Sequence, residues 1–150
     1  MRVFISADHG GFLVKEELKK YLMQKGYEVG DGGAYELNSG DDYPDFVLPL
    51  ALRVAQGKQD VGIVIGKSGN GEAIVANKVK GVRAAVCVNP EMARLAREHN
   101  NANILSLGTD FIDLETAKKV VDVFLTTQFS DEERHKRRIE KISRYESYNS

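Results

Sequence analysis

Three short clusters in this 150-residue chain contain an acidic residue together with histidine, glycine or both, in patterns that suit proton transfer or anion binding. They are Asp8-His9-Gly10-Gly11, Gly66-Lys67-Ser68-Gly69-Asn70-Gly71-Glu72 and Arg97-Glu98-His99-Asn100-Asn101. Carboxylate and imidazole side chains are common proton carriers near neutral pH. Glycine-rich backbone that runs into a helix presents N–H groups to an anion. The clusters therefore indicate either acid–base catalysis or the binding of a negatively charged ligand.

The second cluster is a candidate anion cradle, because its glycines follow a strand-like run and precede a helix-like one. It is not a P-loop, since Gly66-Lys67-Ser68 begins the loop instead of ending it, and its spacing does not match a dinucleotide-binding fingerprint. Glu72 has two interpretations. It is either a favourable acid in the first turn of a helix, worth about 0.3–1 kcal/mol, or a general base held over the cradle. The spacing alone favours the first.

The other two clusters also have simple interpretations. Asp8 can cap a helix while His9 is a solvated loop residue, or both can point outward from the end of a strand to a ligand. His99, near a predicted helix C-terminus, can complement the helix dipole. The asparagines that follow it indicate a polar turn. Position alone does not separate these interpretations.

A basic run, Arg134-His135-Lys136-Arg137-Arg138, lies in the last predicted helix. Such a run is usually a solvated face. Arg134 and Arg138 are four residues apart, however, and share one face where two guanidinium groups could hold a phosphate. All three histidines of the chain are then expected in polar clusters rather than on apolar stripes.

The elements that must position these clusters alternate short apolar runs with amphipathic segments, which is typical of a parallel sheet. Strands are predicted over residues 3–7, 27–29, 60–65, 84–88 and 104–107. Helices are predicted over residues 13–25, 45–55, 114–125 and 130–145. Two more helices are predicted, one that starts at Glu72 and one that begins at Asn89-Pro90. We predict one α/β domain over residues 1–150: a three-layer α/β/α, Rossmann-like, doubly wound sheet of about five parallel strands with an extra C-terminal helix. Such sheets bind ligands at the carboxyl ends of their strands, here after Ala7, Ile65 and Leu107.

The composition argues against several classes of protein. The 21 Lys and Arg residues against 22 Asp and Glu give a formal net charge of −1, which removes the bulk electrostatic argument for nucleic-acid binding. The single cysteine, Cys87, excludes an internal disulfide or cysteine zinc cluster, and is predicted to be a small buried hydrophobe in the fourth strand. With no apolar stretch of about 20 residues and no signal-peptide pattern at the start, we expect a soluble cytoplasmic protein without a membrane partner.

Seven motifs stand in the order that is typical of one enzyme family. They are Asp8-His9-Gly10-Gly11, Asp42-Tyr43-Pro44, Ser68-Gly69-Asn70-Gly71-Glu72, Ala76-Asn77-Lys78, Gly81-Val82-Arg83-Ala84, Glu98-His99-Asn100-Asn101-Ala102-Asn103 and Arg134-His135. In this order, over nearly the whole chain, they resemble the B-type ribose-5-phosphate isomerase and galactose-6-phosphate isomerase subunit family. The Gly-Asn-Gly-Glu sequence is similar to the subgroup with a glutamate base. The other subgroup keeps a catalytic cysteine at the position of Gly66.

The resemblance implies an aldose–ketose isomerase that acts on a small sugar phosphate through an enediolate, without a metal or organic cofactor. Ribose 5-phosphate, of the pentose phosphate pathway, is the default substrate. By this likeness Glu72 is the base, Ser68 meets the developing oxyanion, and His99 assists ring opening. The other implied contacts are Asp8 with ring and hydroxyl oxygens, the backbone N–H groups of Gly69, Asn70 and Gly71 with the oxyanion, His9, Arg134 and Arg138 with the phosphate, and Tyr43 and Asn100 as pocket lining.

Two positions depart from the family pattern. An arginine is usual shortly after the fifth strand, where this chain has Asp110, and a glycine is usual at the position of Lys67. Asp110 would repel a phosphate. Either Lys67 binds the substrate and supplies the missing positive charge, or the substrate is a tetrose, allose or galactose phosphate with Asp110 binding a hydroxyl.

In the family the pocket lies between two subunits, so the resemblance implies a homodimer or a larger homo-oligomer. Ile139, Ile142 and Tyr145 form an apolar stripe in the last helix that docks on its own sheet or reaches a partner. Two other functions stay open. One is a flavodoxin-like module that binds a phosphate or nucleotide without catalysis. The other is an idle subunit of a hetero-oligomeric galactose-6-phosphate isomerase, although the retained Glu72 and His99 argue against idleness.

Overall fold

Strands and helices alternate along the chain as the sequence pattern predicts. A computed structural model describes residues 1–148. The elements are β1 (Arg2–Ala7), α1 (Phe12–Gln24), β2 (Glu28–Asp31), α2 (Pro44–Gln56), β3 (Val61–Gly66), α3 (Asn70–Ala76), β4 (Ala84–Val86), α4 (Pro90–Asn100), β5 (Ile104–Gly108), α5 (Leu114–Thr126) and α6 (Glu133–Tyr148). Asn89 begins α4 as predicted, because its side-chain oxygen accepts a hydrogen bond from the N–H of Met92 at 2.8 Å.

The five strands form one parallel sheet in the order β2-β1-β3-β5-β4. The central strand β3 is buried along its whole length, as expected of a strand that is covered on both faces. Helices α1, α4 and α5 pack on one face around Leu18, Ala93 and Phe124. Helices α2 and α3 pack on the other face around Val47 and Ala76. The predicted three-layer, doubly wound fold is confirmed.

The topological switch point lies between β1 and β3, because the chain winds outward from these two strands in opposite directions. Their register pairs Ala7 with Ile65, which brings the Asp8–Gly11 and Gly66–Gly71 loops side by side at the carboxyl edge of the sheet. A Cβ atom at Gly11 would lie 2.4 Å from the carbonyl oxygen of Ile65. Only glycine permits this approach, so the two loops form one continuous crevice.

The end of α4 and the start of α6 lie at the opposite, amino edge of the sheet. Helix α4 has 11 residues and therefore runs about 16 Å back from the carboxyl edge. Just after it, the carbonyl of Asn103 accepts a hydrogen bond at 2.9 Å from the N–H of Gly62, near the start of β3. The N–H of Ser130, shortly before α6, donates to the carbonyl of Glu98 at 3.1 Å. The sheet therefore separates these helix ends from the carboxyl-edge loops.

The structure refines two predictions, the position of Cys87 relative to β4 and the contacts of the apolar stripe in α6. Strand β4 ends at Val86, so the buried Cys87 lies just after the strand, where the chain turns toward the Asn89 cap. The apolar stripe of α6 does not dock on the sheet, since Ile142 and Tyr145 remain exposed. Within residues 1–148, no helix combines the length and apolar character that crossing a membrane requires.

Candidate active site

Glu72 is held over the end of β3 and is only 4% exposed. A Cβ atom at Gly66 would lie 1.8 Å from its Oε1. The missing side chain at Gly66 therefore creates the space that the carboxylate occupies. A glutamate that served only the helix dipole would remain in solvent, so the geometry favours the general-base interpretation that spacing alone did not.

The surroundings of Glu72 make its carboxylate a stronger base than that of a free glutamate. Burial raises the pKa of its carboxyl group, and the negative charge of Asp8 acts in the same direction. Backbone N–H groups of Glu72 and Gly69 oppose the shift without cancelling it. A buried carboxylate with a raised pKa at a sheet switch point is a typical position for a proton-transferring group.

Strand β5 fixes the loop that leads to Glu72. Gly69 has a left-handed backbone with φ of 80°, which favours glycine. Its carbonyl oxygen accepts a hydrogen bond at 2.6 Å from the hydroxyl of Ser106, which is fully buried. A Cβ atom at Gly108 would lie 2.3 Å from the carbonyl oxygen of Ser68. Ser106 was not predicted as a site residue; its signal in the sequence is a hydroxyl in an otherwise apolar strand.

Ser68 and Tyr43 border the open side of this loop. The N–H of Asn70 donates to Ser68 Oγ at 3.2 Å, so one of the three N–H groups predicted to meet the oxyanion is already engaged. The same contact leaves the hydroxyl hydrogen of Ser68 available for a ligand. Gly71 lies against the Tyr43 ring, because a Cβ atom there would be 2.6 Å from Tyr43 Cζ. The predicted loop residues and Tyr43 therefore meet in the same crevice.

Asp8 follows β1 and is 8% exposed. Its Oδ1 accepts a hydrogen bond from the N–H of Gly10 at 2.9 Å. Gly11 is the N-cap of α1, and no side chain caps that helix. The helix-cap interpretation of Asp8 is therefore wrong, because the carboxylate turns back into its own loop, near enough to Glu72 to influence its pKa.

His9 is oriented by Asp41, which was not predicted as a site residue because it lies 32 positions away in the chain. Asp41 Oδ1 lies 2.7 Å from His9 Nδ1 and accepts a hydrogen bond from the backbone N–H of His9 at 3.0 Å. This arrangement leaves the other ring nitrogen for a ligand. Asp8, His9 and Asp41 each offer one potential metal-ligating atom, and these three atoms lie within 4.8 Å of one another. They form the group in the described part of the chain that could hold a metal ion. The His9–Asp41 contact already engages two of the three.

Lys67 lies across the turn that carries Asp8 and His9. A Cβ atom at Gly10 would be 2.7 Å from Lys67 Cγ, so the lysine stem runs along this turn. The N–H of Asp110 donates to the carbonyl of Lys67 at 2.9 Å, and the hydroxyl of Thr109 donates to the carbonyl of Gly10 at 3.0 Å. The loops after β1, β3 and β5 are thus bonded together, with Lys67 and Asp110 exposed at their rim.

Four other predicted site residues lie at the amino edge. His99 and Asn100 are in the last turn of α4, and Arg134 and Arg138 are in the first two turns of α6. The sheet separates them from the crevice that contains Glu72. One chain therefore does not bring the two groups of predicted site residues together.

His135 is buried, although a basic run such as residues 134–138 is usually a solvated face. It is 3% exposed, and its ring centroid lies 4.3 Å from that of His99. The reason is that the first turn of α6 packs against the last turn of α4. Arg134 and Arg138 of the same run are exposed, and Arg134 pairs with Glu132 at 2.9 Å.

An open groove runs along α3 and β4 on the outside of the molecule. It has a volume of about 650 Å³ and is lined by Asn70, Ala73, Ile74, Asn77, Lys78 and Val86. Ile74 is 60% exposed. The groove begins beside the Ser68–Glu72 loop and ends toward the amino edge, so a molecule seated in it would touch both ends of the helix that carries Glu72.

A doubly wound α/β domain with a buried carboxylate base over a glycine loop is, as a class, suited to proton transfer on an anionic ligand. The chain belongs to the ribose/galactose isomerase family, which matches residues 3–142. It is 43% identical over 146 residues to ribose-5-phosphate isomerase B of Mycolicibacterium paratuberculosis, covering 97% of this chain and 92% of that protein.

Solved structures agree with this assignment. Ribose-5-phosphate isomerase B of Clostridium thermocellum matches with a TM-score of 0.95 and 47% identity over 100% of both chains. The Mycoplasma genitalium enzyme, solved with bound ribulose-5-phosphate, matches with a TM-score of 0.94 and 42% identity over 97% of this chain and 96% of that chain. The predicted family and the enzyme class, an aldose–ketose isomerase, are confirmed.

Proposed function

We propose that the protein interconverts ribose 5-phosphate and ribulose 5-phosphate, a step of the pentose phosphate pathway, with Glu72 as the base. The observation that carries the proposal is the buried Glu72 carboxylate, with its raised pKa, over the glycine loop. The relatives named above are ribose-5-phosphate isomerases, one of them with bound ribulose-5-phosphate. Because sugar phosphates are charged and are made inside cells, we place the enzyme in the cytoplasm.

In the proposed reaction, Glu72 removes the proton on C2 of the open-chain aldose, and the electron pair forms the C1–C2 double bond of an enediolate. The negative charge moves to the oxygen on C1. A proton passes from the C2 hydroxyl to this oxygen, and Glu72 returns its proton to C1 as the C2 carbonyl forms. Every step moves protons only, so the proposal includes no metal or organic cofactor.

The crevice offers hydrogen-bond and ion-pair partners for the enediolate oxygen and for the phosphate of the substrate. The Ser68 hydroxyl and backbone N–H groups of its loop face the enediolate oxygen, and donors of this kind typically contribute about 10²–10³ in rate. Asp8 accepts hydrogen bonds from sugar hydroxyls. His9, oriented by Asp41, and the ammonium group of Lys67 bind the phosphate from the carboxyl edge. In this proposal Lys67 supplies the positive charge that Asp110 does not.

The remaining contacts come from a second copy of the chain. His99, Asn100, Arg134 and Arg138 lie at the amino edge, whereas Glu72 lies at the carboxyl edge. Two copies in a symmetric dimer can place the amino edge of one against the crevice of the other. The groove along α3 and the exposed Ile74 provide a surface for that contact. We therefore propose a homodimer, or a larger homo-oligomer built from it, with two shared active sites.

The base assignment is tested with Glu72→Gln, which keeps the shape of the side chain and removes its basicity. We expect kcat to fall by about 10²–10⁴, the usual contribution of a general acid–base group. Glu36→Gln, an exposed loop change near the same edge, is the matched control and retains wild-type kcat. Near-normal turnover by the Glu72→Gln enzyme would contradict the assignment of Glu72 as the base.

The shared site is tested by mixing two inactive variants, Glu72→Gln and His99→Asn. Each mixed dimer contains one site with both substitutions and one site with neither. Random reassortment of equal amounts makes half of the dimers mixed, so roughly a quarter of wild-type activity returns. Mixtures that stay as inactive as their components, although the subunits exchange, would show that each site is built from one chain.

The substrate assignment is tested by turnover on the phosphates of ribose, erythrose, allose and galactose. A clear preference for any sugar other than ribose would overturn it. We expect Lys67→Met to raise KM for ribose 5-phosphate about tenfold, the effect of losing about 1.4 kcal/mol of binding, with kcat nearly unchanged. Asp110→Asn lowers KM if the aspartate repels the phosphate. A rise in KM would instead assign Asp110 to a sugar hydroxyl.

A further inference from the structure

His135 joins the first turn of α6 to the last turn of α4. Among the described side chains of α6 it is the one that is buried. Its ring lies against that of His99, with a centroid distance of 4.3 Å and an interplanar angle of 32°. Its Nδ1 lies 2.8 Å from Ser130 Oγ, and the N–H of Ser130 donates to the carbonyl of Glu98, next to His99 in the chain. His135 is therefore held from two sides.

Anchoring a helix does not require an imidazole at this place. A buried aliphatic side chain would pack as well, whereas a polar ring in the interior lowers stability unless its nitrogens are bonded. His99, in contrast, makes no hydrogen bond to the residues from 1 to 148, and its ring contact there is with His135. The orientation of the His99 ring thus depends on the ring of His135.

Burial and the surrounding charges favour the neutral form of His135. Burial lowers its pKa, and His99, Arg134 and Arg138 act in the same direction, while Glu132 opposes them. These groups come from α4, from α6 itself and from the segment before α6. A neutral ring at this position packs against His99 without placing a positive charge beside it.

We propose that His135 is a positioning residue that fixes His99 for opening the furanose ring of the substrate, which rests on the function proposed above. In ring opening, the hydroxyl on C1 loses a proton, the bond between C1 and the ring oxygen breaks, and the ring oxygen gains a proton. His99 moves one of these protons. Its ring must face the substrate of the partner subunit in one orientation, and the stack on His135 maintains that orientation.

The test compares two reactions of the same enzyme. Ribose 5-phosphate is a cyclic sugar and must open before Glu72 can act. Ribulose 5-phosphate cannot form a furanose ring, because its C5 hydroxyl carries the phosphate, so exchange of its C1 proton with deuterated water requires Glu72 but no ring opening. A residue that positions His99 affects the first reaction, whereas a residue that only docks α6 affects both.

We expect His135→Leu to lower kcat for ribose 5-phosphate by about 10- to 100-fold, the range expected for a displaced catalytic group, with deuterium exchange into ribulose 5-phosphate nearly unchanged. His135→Phe retains an aromatic ring against His99 and restores most of the loss. The exposed Arg137→Ala on the same helix is the control and changes neither rate.

Equal losses in both reactions, or unchanged turnover of ribose 5-phosphate, would overturn the proposal. If His135→Leu does not fold, the Phe variant and Ser130→Ala, which removes only the hydrogen bond to Nδ1, are measured in the same two reactions. Ser130→Ala is expected to slow the cyclic substrate selectively. Failure of the proposed function itself has a different signature, because the wild-type enzyme would then not turn over ribose 5-phosphate, or Glu72→Gln would leave deuterium exchange intact.

Discussion

Gly66→Ala is expected to lower the activity of the enzyme by displacing Glu72, although Gly66 has no side chain that could take part in the reaction. The added methyl group would lie 1.8 Å from Glu72 Oε1, 2.3 Å from its Cδ and 2.8 Å from its Oε2. All three distances are below the 3.0 Å that real Cβ contacts respect. The carboxylate has little free space around it, since the side chain is 4% exposed.

The size of the effect follows from the displacement. Oε1 must retreat by about 1 Å or more, and a displacement of that size at a reacting group typically lowers the rate about 100-fold. We expect kcat to fall by that factor while KM changes less, because the proposed phosphate contacts come from other residues. The assay is continuous formation of the ketose from ribose 5-phosphate. Thermal unfolding is measured beside it, since overpacking of this kind costs about 1–3 kcal/mol of stability.

Gly40→Ala is the control for adding a methyl group in the same molecule. Gly40 lies in an exposed turn, and the nearest atom to its added Cβ would be Asn38 Oδ1 at 3.5 Å. This variant is expected to match the wild type in kcat. A Gly66→Ala enzyme that is folded and keeps kcat within about threefold of wild type would refute the steric reasoning and, with it, the placement of the base.

Three further outcomes follow from the buried ionisable groups. Burial and the charge of Asp8 raise the pKa of Glu72, so kcat/KM is expected to decrease as the pH falls through that raised value. Asp8→Asn removes one of these causes and is expected to shift the acidic limb of the pH–rate profile to lower pH. An acidic limb that does not move would contradict the electrostatic coupling between Asp8 and Glu72. Lys15→Met is expected to lower the free energy of unfolding in urea by about 2–4 kcal/mol, because a fully buried ammonium bonds Asp31 at 2.8 and 2.9 Å, and a second lysine limits the loss. Cys87→Ala should leave kcat unchanged, because burial raises the pKa of this thiol to about 11 and keeps it protonated; lost turnover would assign the thiol a role.

The fold was readable from the sequence because its elements follow local rules. The all-apolar run at Val61–Ile65 predicts a strand covered on both faces, and Asn89-Pro90 predicts the start of a helix. The position of β5 between β3 and β4 was not readable. A right-handed crossover through α3 can place the next strand one or two positions away, and only tertiary packing selects between them. The three-residue β4 is accordingly an edge strand.

The site was predictable where its residues are neighbours in the chain. The glycine loop and Glu72 form one continuous motif, so their meeting follows from the sequence. Asp41 and Ser106 were missed because their partners are 32 and 37 positions away. The burial of His135 was not predicted for a related reason. A basic run looks solvated on its own helix, and its burial depends on a helix from another part of the chain.

The position of the two residue sets on opposite edges of one sheet has an evolutionary consequence. In a shared site, each chain contributes a carboxyl-edge set around Glu72 to one pocket and an amino-edge set around His99 to the other. After a gene duplication, one copy can lose its Glu72 set and the other its His99 set. A pair of such complementary copies still builds one complete pocket. A fold with this arrangement can therefore pass from a self-pairing enzyme to an obligate pair of diverged subunits while one of its two pockets stays complete.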